Sequence, residues 1–184
     1  MPKDHNSKPL VVLRAPVPPD IEMHLALPHS REIHIMYGGD PEIPPTANLA
    51  RSEGWYEWLC DHPFARIIEV EGRAVGEIRL HSHDEADRTA RLAVGLFAEE
   101  DLGRGYGHQA IVQTLCHGFD AMALEMIDLR VLEFNERAIR CYTACGFETV
   151  ARLPRSLKIG ETWHDDLLME ITRPRFSSVR VGLE

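Results

Sequence analysis

The chain has 184 residues, 44% of them hydrophobic, with 29 acidic and 20 basic side chains and a net charge of −9. That length suits one domain with a sizeable core. The acidic balance argues against nucleic acid as a partner, no apolar run is long enough to span a membrane, and the N-terminus lacks the apolar stretch of a secretory signal. With four cysteines (60, 116, 141 and 145) outside any tight disulfide spacing, the expectation is a reduced, cytoplasmic protein.

Residues 1–8 and 174–184 are polar or charged and are expected to be flexible ends, leaving 9–173 as one domain. PLVVLRAP predicts a first strand. In PPDIEMHLALPHSREIHIMYGG, apolar residues fall at helical spacing; Pro28 breaks the pattern and Gly38-Gly39 ends it. A Pro-rich loop, DPEIPPTAN, comes next, and LARSEGWYEWLCDH predicts a short helix. ARIIEVEGRAVGEIRLHSH predicts a hairpin that turns at Glu71-Gly72. TARLAVGLFA predicts another strand, and Gly95 inside it points to a bulge or a close backbone approach. From Gly107 to Leu124, Ile111, Leu115, Phe119 and Met122 recur at helical steps. IDLRVLEF predicts a strand, and NERAIRCYTAC a helix that starts at Asn135 and stops at Gly146. FETVARL and TWHDDLLMEIT read as closing strands joined by PRSLKIGE. The succession gives one α/β (α+β) domain, a mixed sheet with helices on both faces.

The stretch EEDLGRGYGHQAIVQ carries the first chemical signal, with glycines at 103, 105 and 107. Glycine permits positive φ and leaves no Cβ between the backbone amides and a ligand. Successive N–H groups can then face one anion, and the following helix adds its positive end. Arg104 can add a charge-assisted contact. The same spacing also suits a plain tight turn. Two common phosphate loops are excluded: the segment ends Gly107-His108-Gln109 rather than Gly-Lys-Ser/Thr, and the sixth position from Gly103 is His108 rather than glycine.

Together, LGRGYGHQAI and the later NERAIRCYTACGF resemble the GNAT superfamily of acetyl-CoA-dependent N-acetyltransferases. The first matches its pyrophosphate motif, Gln/Arg-x-x-Gly-x-Gly/Ala; the second matches its Asn-x-x-Ala-x-x-x-Tyr-x-x-x-Gly-Phe segment. The resemblance implies a mostly antiparallel central sheet, splayed at the acetyl-CoA site. VVLRAP, WYEWL and GRAVGEIRL resemble the branch that acetylates the N-termini of ribosomal proteins, which has polyamine and antibiotic relatives. Carried over residue by residue, the resemblance implies pyrophosphate contacts from Leu102, Gly103, Arg104, Gly105, Tyr106, Gly107 and His108. Leu102 stands where Gln or Arg is usual, which implies that backbone amides hold the pyrophosphate. Gly95, Leu96 and Phe97 match the strand that pairs with the pantetheine arm. Asn135 and Tyr142 match the second motif, with Tyr142 as the acid that protonates the departing thiolate.

The residues also admit plainer readings. Asn135 is a good helix cap, and Tyr142 falls on the apolar face of its helix. Trp55, Tyr56 and Trp58 could line an acceptor pocket or pack in the core. Cys141 and Cys145 share a helix face as small core residues. His81 and His83 lie two apart on a strand and so share a face, as a polar edge or a metal pair without an evident third ligand. No metal is expected. For the general base, Glu77 and His81 lie on the strand before the cofactor strand, and Glu133 lies just before Asn135. Arg130 occupies the position where some family members carry a Glu base. The expected partners are acetyl-CoA and a primary amine, either a peptide N-terminus or a small amine such as a polyamine or aminoglycoside; a homodimer is compatible. A non-catalytic acyl-CoA-binding module is the other reading.

Overall fold

The computed structural model describes residues 9–43 and 48–182. Segment 1–8, expected to be a flexible end, and the middle of the Pro-rich loop, 44–47, lie outside the described residues. The strands are β1 (Val11–Arg14), β2 (Phe64–Val70), β3 (Arg73–Asp84), β4 (Thr89–Leu96), β5 (Met126–Leu132), β6 (Glu148–Ile159) and β7 (Thr162–Thr172). They form one sheet in the order β1-β2-β3-β4-β5-β7-β6. Neighbours run antiparallel except β4 and β5, which are parallel. The helices are α1 (Pro19–Leu25), α2 (Arg31–Met36), α3 (Leu49–Cys60), α4 (Tyr106–Cys116), α5 (Glu136–Ala144) and α6 (Arg173–Val179).

Strand alternation assigns the two faces. On β2, Ile68 and Val70 join the main core with Ile111 and Leu115 of α4, Cys145 just past the end of α5 and Phe176 of α6. Ala65 and Ile67, from the opposite face of β2, pack with Leu59 of α3. The expected mixed sheet with helices on both faces is what forms.

Local chemistry accounts for the helix starts. The Ser30 hydroxyl accepts the Ile33 N–H at 3.0 Å to cap α2, and the Asn48 side chain accepts the Arg51 N–H at 2.9 Å to cap α3. The outer edge of β1 is covered by α4. Gln109 accepts the Val11 N–H at 3.1 Å and donates to the Pro9 carbonyl at 3.1 Å, and Gln113 donates to the Val11 carbonyl at 3.0 Å.

Two expectations need correcting. PRSLKIGE is not simply a connection, because β6 runs through it to Ile159. Its pairing with β7 shifts between Leu153 and Leu157. Pro154, which has no N–H, falls inside that irregularity on an edge strand, where proline is tolerated. The C-terminal end, expected to be flexible, instead carries α6. Phe176 is 2% exposed and stacks on Phe119 with centroids 4.9 Å apart. Arg173 donates to the Phe119 and Leu124 carbonyls at 2.7 and 2.6 Å. Arg175 adds a bond to the Gly146 carbonyl at 2.6 Å and an ion pair with Glu148 at 3.0 Å, so several side chains dock an otherwise polar segment.

Candidate active site

β4 and β5 pair only over Thr89–Arg91 against Met126–Asp128. Arg91 donates to the Asp128 carboxylate at 2.5 and 2.9 Å across the last rung. Beyond that ion pair the strands separate. The Phe97 N–H donates to the Val75 carbonyl at 2.9 Å. In an antiparallel ladder the bonding direction alternates, so the amides of Gly95 and Ala93 also face β3. Those of Val94 and Leu96 face the gap. The gap opens into a cavity of about 560 Å³, bounded by Val94 and Leu96 of β4, Val131 of β5, Ala138 and Tyr142 of α5, and Leu157 of β6. The Phe97 amide is committed to β3, so among the three residues expected at the pantetheine arm it is Leu96 that offers an N–H to this space.

The glycine loop forms the other wall. It is preceded by a 3-10 turn over Glu99–Asp101, whose Asp101 is 1% exposed and held by Arg73 through contacts of 2.5 and 2.8 Å. Gly103 and Gly105 have φ of 73° and 85°, and Gly105 is the residue before α4. A Cβ at 103, 105 or 107 would meet nothing within 4 Å, so the loop presents bare backbone to open space. Leu102, Tyr106 and His108 line the same cavity. Arg104 does not: its Nε donates back to the Glu100 carbonyl at 2.5 Å. Arg104 therefore adds no charge to this cradle, which is formed by backbone amides and the α4 N-terminus, while Arg79, Arg130 and Arg137 line the cavity elsewhere.

On the α5 side, the Asn135 side chain caps the helix by accepting the Ala138 N–H at 3.2 Å and also lines the cavity. Tyr142 is 8% exposed, sits edge-on to Phe147 at 6.0 Å and lines the cavity. Burial pushes its phenol above the ordinary value of 10.0, so it stays protonated at neutral pH. Cys145 is core, whereas Cys141 reaches the cavity. Glu133 is not brought to this site. Its carboxylate pairs with Arg152 and accepts the Asp165 N–H at 3.4 Å, which turns it toward β6 and β7.

A second hollow, about 310 Å³, lies against the same stretch of β4 and is lined by Glu77, Trp55, His24, Phe97 and Ser52 among others. Glu77 is 8% exposed; it accepts the Trp55 Nε1–H at 2.5 Å and an Arg79 N–H at 3.1 Å. Burial pushes its carboxyl above the ordinary value, while the Trp55 bond and the Arg79 charge pull the other way. Trp55 stacks on His24 at 4.2 Å and meets Phe97 edge-on at 6.1 Å. Of the three aromatics expected near an acceptor, Trp55 alone lines a hollow; Trp58 is 43% exposed and carries the Arg79 guanidinium 4.2 Å above its ring.

Ile33, Tyr37 and Leu96 line both hollows. Tyr37 is the residue that sequence reasoning missed. Its signal was indirect: Gly95 has no side chain because a Cβ there would fall 0.9 Å from the Tyr37 hydroxyl. His81 lines neither hollow, and its ring is 3.0 Å from Ser82 Oγ. Strand periodicity does not put His81 and His83 on one face, because Ser82 takes φ 50° and the ladder shifts between His81 and Asp84. Among the described residues no three His, Cys, Asp or Glu side chains gather at metal-ligand spacing, and no helix is long and apolar enough to cross a membrane.

Two hollows meeting at a splayed parallel pair, one under an anion cradle and one around a buried carboxylate, make the architecture of a two-substrate acyl transferase. The chain belongs to the GNAT acetyltransferase family: the family model for the acetyltransferase (GNAT) domain matches residues 11–148. It is an N-acetyltransferase, and the family's acyl donor is acetyl-CoA. Among solved structures, it is similar to spermidine N-acetyltransferase from Vibrio cholerae in complex with CoA and spermine. Identity is 22%, over 91% of this chain and 98% of that one, with a TM-score of 0.77. The spermidine/spermine N-acetyltransferase SpeG from Vibrio cholerae, in complex with manganese ions, aligns at 21% identity over 91% and 95%, with a TM-score of 0.69. Among curated proteins none matches by sequence.

Proposed function

We propose that the chain acetylates a small primary amine by direct attack on acetyl-CoA, with the cosubstrate in the larger hollow and the amine in the smaller. The observation that carries this reading is Glu77, a buried carboxylate among Trp55, His24 and Phe97, in a hollow that meets the larger one at Leu96. A carboxylate and aromatic faces together suit an ammonium group, and a hollow of about 310 Å³ suits a small acceptor. The spermidine and spermine acetyltransferases among the similar folds support the same acceptor class. A peptide N-terminus, suggested by the resemblance to the ribosomal-protein branch, is the competing acceptor.

The geometry supports the following chemical steps. The pyrophosphate rests on the amides of the Gly103–Gly107 loop and the α4 N-terminus. Glu77 takes the amine proton, directly or through a water. The amine nitrogen attacks the thioester carbonyl, and the Leu96 N–H stabilises the oxyanion. The nitrogen of the tetrahedral adduct gives its second proton to water as the C–S bond breaks, the CoA thiolate takes the Tyr142 proton, and water relays the proton held by Glu77 back to the Tyr142 phenolate, so that both groups are restored and one proton leaves to solvent. No covalent enzyme intermediate forms, so much of the acceleration comes from holding both substrates together. Cys60, Cys141 and Cys145, which stand outside any disulfide among the described residues, support a reducing, cytoplasmic setting.

The test is CoA release from acetyl-CoA across spermidine, spermine, aminoglycosides, amino acids and N-terminal peptides. The expected result is the highest kcat/KM on a small amine. A peptide as best acceptor overturns the acceptor class. Tight acetyl-CoA binding without turnover on any amine means a binding module instead.

A further inference from the structure

Tyr37 stands at the end of α2, which is held across the gap from two sides. Glu32 of α2 pairs with Arg137 at 2.7 Å. Gly38 is so close to β6 that a Cβ there would lie 2.4 Å from Leu157 Cδ2. Between these ties the Tyr37 ring descends onto β4. A Cβ at Gly95 would fall 0.9 Å from its hydroxyl oxygen and 2.2 Å from Cζ. The hydroxyl end of the ring therefore fills the volume that a side chain at 95 would occupy, at the point where both hollows meet. Its phenol is within electrostatic reach of Glu77 on one side and Tyr142 on the other.

We propose that Tyr37 is the residue that limits the transferred acyl group to acetyl. The inference rests on the reading of the larger hollow as the acetyl-CoA site. A thioester carbonyl attacked from the Glu77 side and released toward Tyr142 lies between those two groups, beside the Tyr37 ring. A methyl group beyond the carbonyl carbon fits against the ring edge. A propyl chain extends into the space the ring fills, and β4 gives no alternative exit because Gly95 and Tyr37 already interlock. The hydroxyl and the ring edge that bears it do the excluding, since the hydroxyl oxygen lies 0.9 Å and Cζ 2.2 Å from the place of a Cβ at Gly95.

The test compares acetyl-CoA, propionyl-CoA and butyryl-CoA on the wild-type chain, Tyr37→Phe and Tyr37→Ala. Dissociation constants are measured by calorimetry, which needs no acceptor, and kcat/KM is measured with the best amine from the panel. One misfitted methylene in an apolar pocket changes rates by roughly 10–200-fold. The wild-type chain is therefore expected to prefer acetyl over butyryl by about 10-fold or more, in binding as in turnover. Tyr37→Ala is expected to narrow that ratio by about 10-fold or more, and Tyr37→Phe, which removes only the hydroxyl, to narrow it less. Tyr37 is 58% exposed, so its truncation leaves no core void, and a thermal melt of each variant checks the fold. An unchanged ratio in Tyr37→Ala overturns the proposal. So does a collapse in Tyr37→Phe that Tyr37→Ala does not share. If the folded wild-type chain binds none of the three thioesters, the cosubstrate reading fails and this proposal falls with it. If it binds all three equally, only this proposal fails.

Discussion

Gly105→Val separates the cradle from a plain turn. Gly105 holds φ 85° and ψ 3° at the entrance to α4. A non-glycine residue there costs about 1–2 kcal/mol, with a β-branched side chain near the upper end. No packing clash adds to this, since a Cβ at 105 meets nothing within 4 Å. At roughly 2–4 °C per kcal/mol for a chain of this size, the melting temperature without ligand should fall by about 3–8 °C. The effect on the ligand is separate. The isopropyl group enters the open side of the loop, where a phosphate would lie against the amides. Acetyl-CoA at about 100 times its Kd stabilises the wild-type chain by roughly 2.7 kcal/mol, or about 5–11 °C. The valine variant should lose nearly all of that shift. The assay is a thermal melt of both proteins with and without acetyl-CoA. Equal ligand shifts in the two would refute the cradle reading, however much the melting temperature without ligand had fallen.

Tyr142→Phe keeps the ring against Phe147 and removes only the proton donor, so kcat should fall by about 10²-fold while the acetyl-CoA Kd holds; a loss of stability with kcat intact would make Tyr142 a core residue only. Because burial raises the Glu77 carboxyl above its ordinary value of 4.5, the acid limb of kcat/KM should lie above that value, with activity lost as pH falls through it. The same shift makes Glu77 a stability cost that grows as pH rises from 4.5 through the raised value. Glu77→Gln should abolish the limb and flatten that part of the stability profile; an unchanged limb would assign the base elsewhere. Phe176→Ala should cost about 3–4 kcal/mol in chemical denaturation, whereas an unmoved midpoint would mean that α6 adds nothing to the core.

The features legible in the sequence depend on neighbours a few residues away. The β2–β3 turn at Glu71-Gly72, the glycines before α4 and the Asn135 cap each carry their own backbone requirement. The illegible features depend on partners far along the chain, or on a nearer competitor for the same group. Arg104 has the right charge for a phosphate, but the Glu100 carbonyl is nearer. Glu133 has the right chemistry for a base, but Arg152 of β6 claims it. Pro154 predicts a break, yet β7 supplies a ladder on either side of it. Gly95 announces a close approach without naming the Tyr37 hydroxyl that makes it. The alternation of His81 and His83 fails at a single residue, Ser82, whose positive φ turns the strand beyond it.

The two glutamines on α4 have a consequence for association between chains. An exposed edge strand presents a row of unpaired amides and carbonyls that another chain can extend. At β1, Gln109 and Gln113 occupy the Val11 N–H, the Pro9 carbonyl and the Val11 carbonyl, much as a neighbouring strand would. The helix acts as a surrogate strand built from side-chain amides, and it blocks templating at the Val11 end of the β1 border. The same helix begins at the glycine loop, so the border is guarded by the element whose N-terminus belongs to the proposed phosphate cradle. A ligand that orders α4 from its N-terminus should also hold the guard in position, and polymerisation through β1 should be slowest when acetyl-CoA is bound.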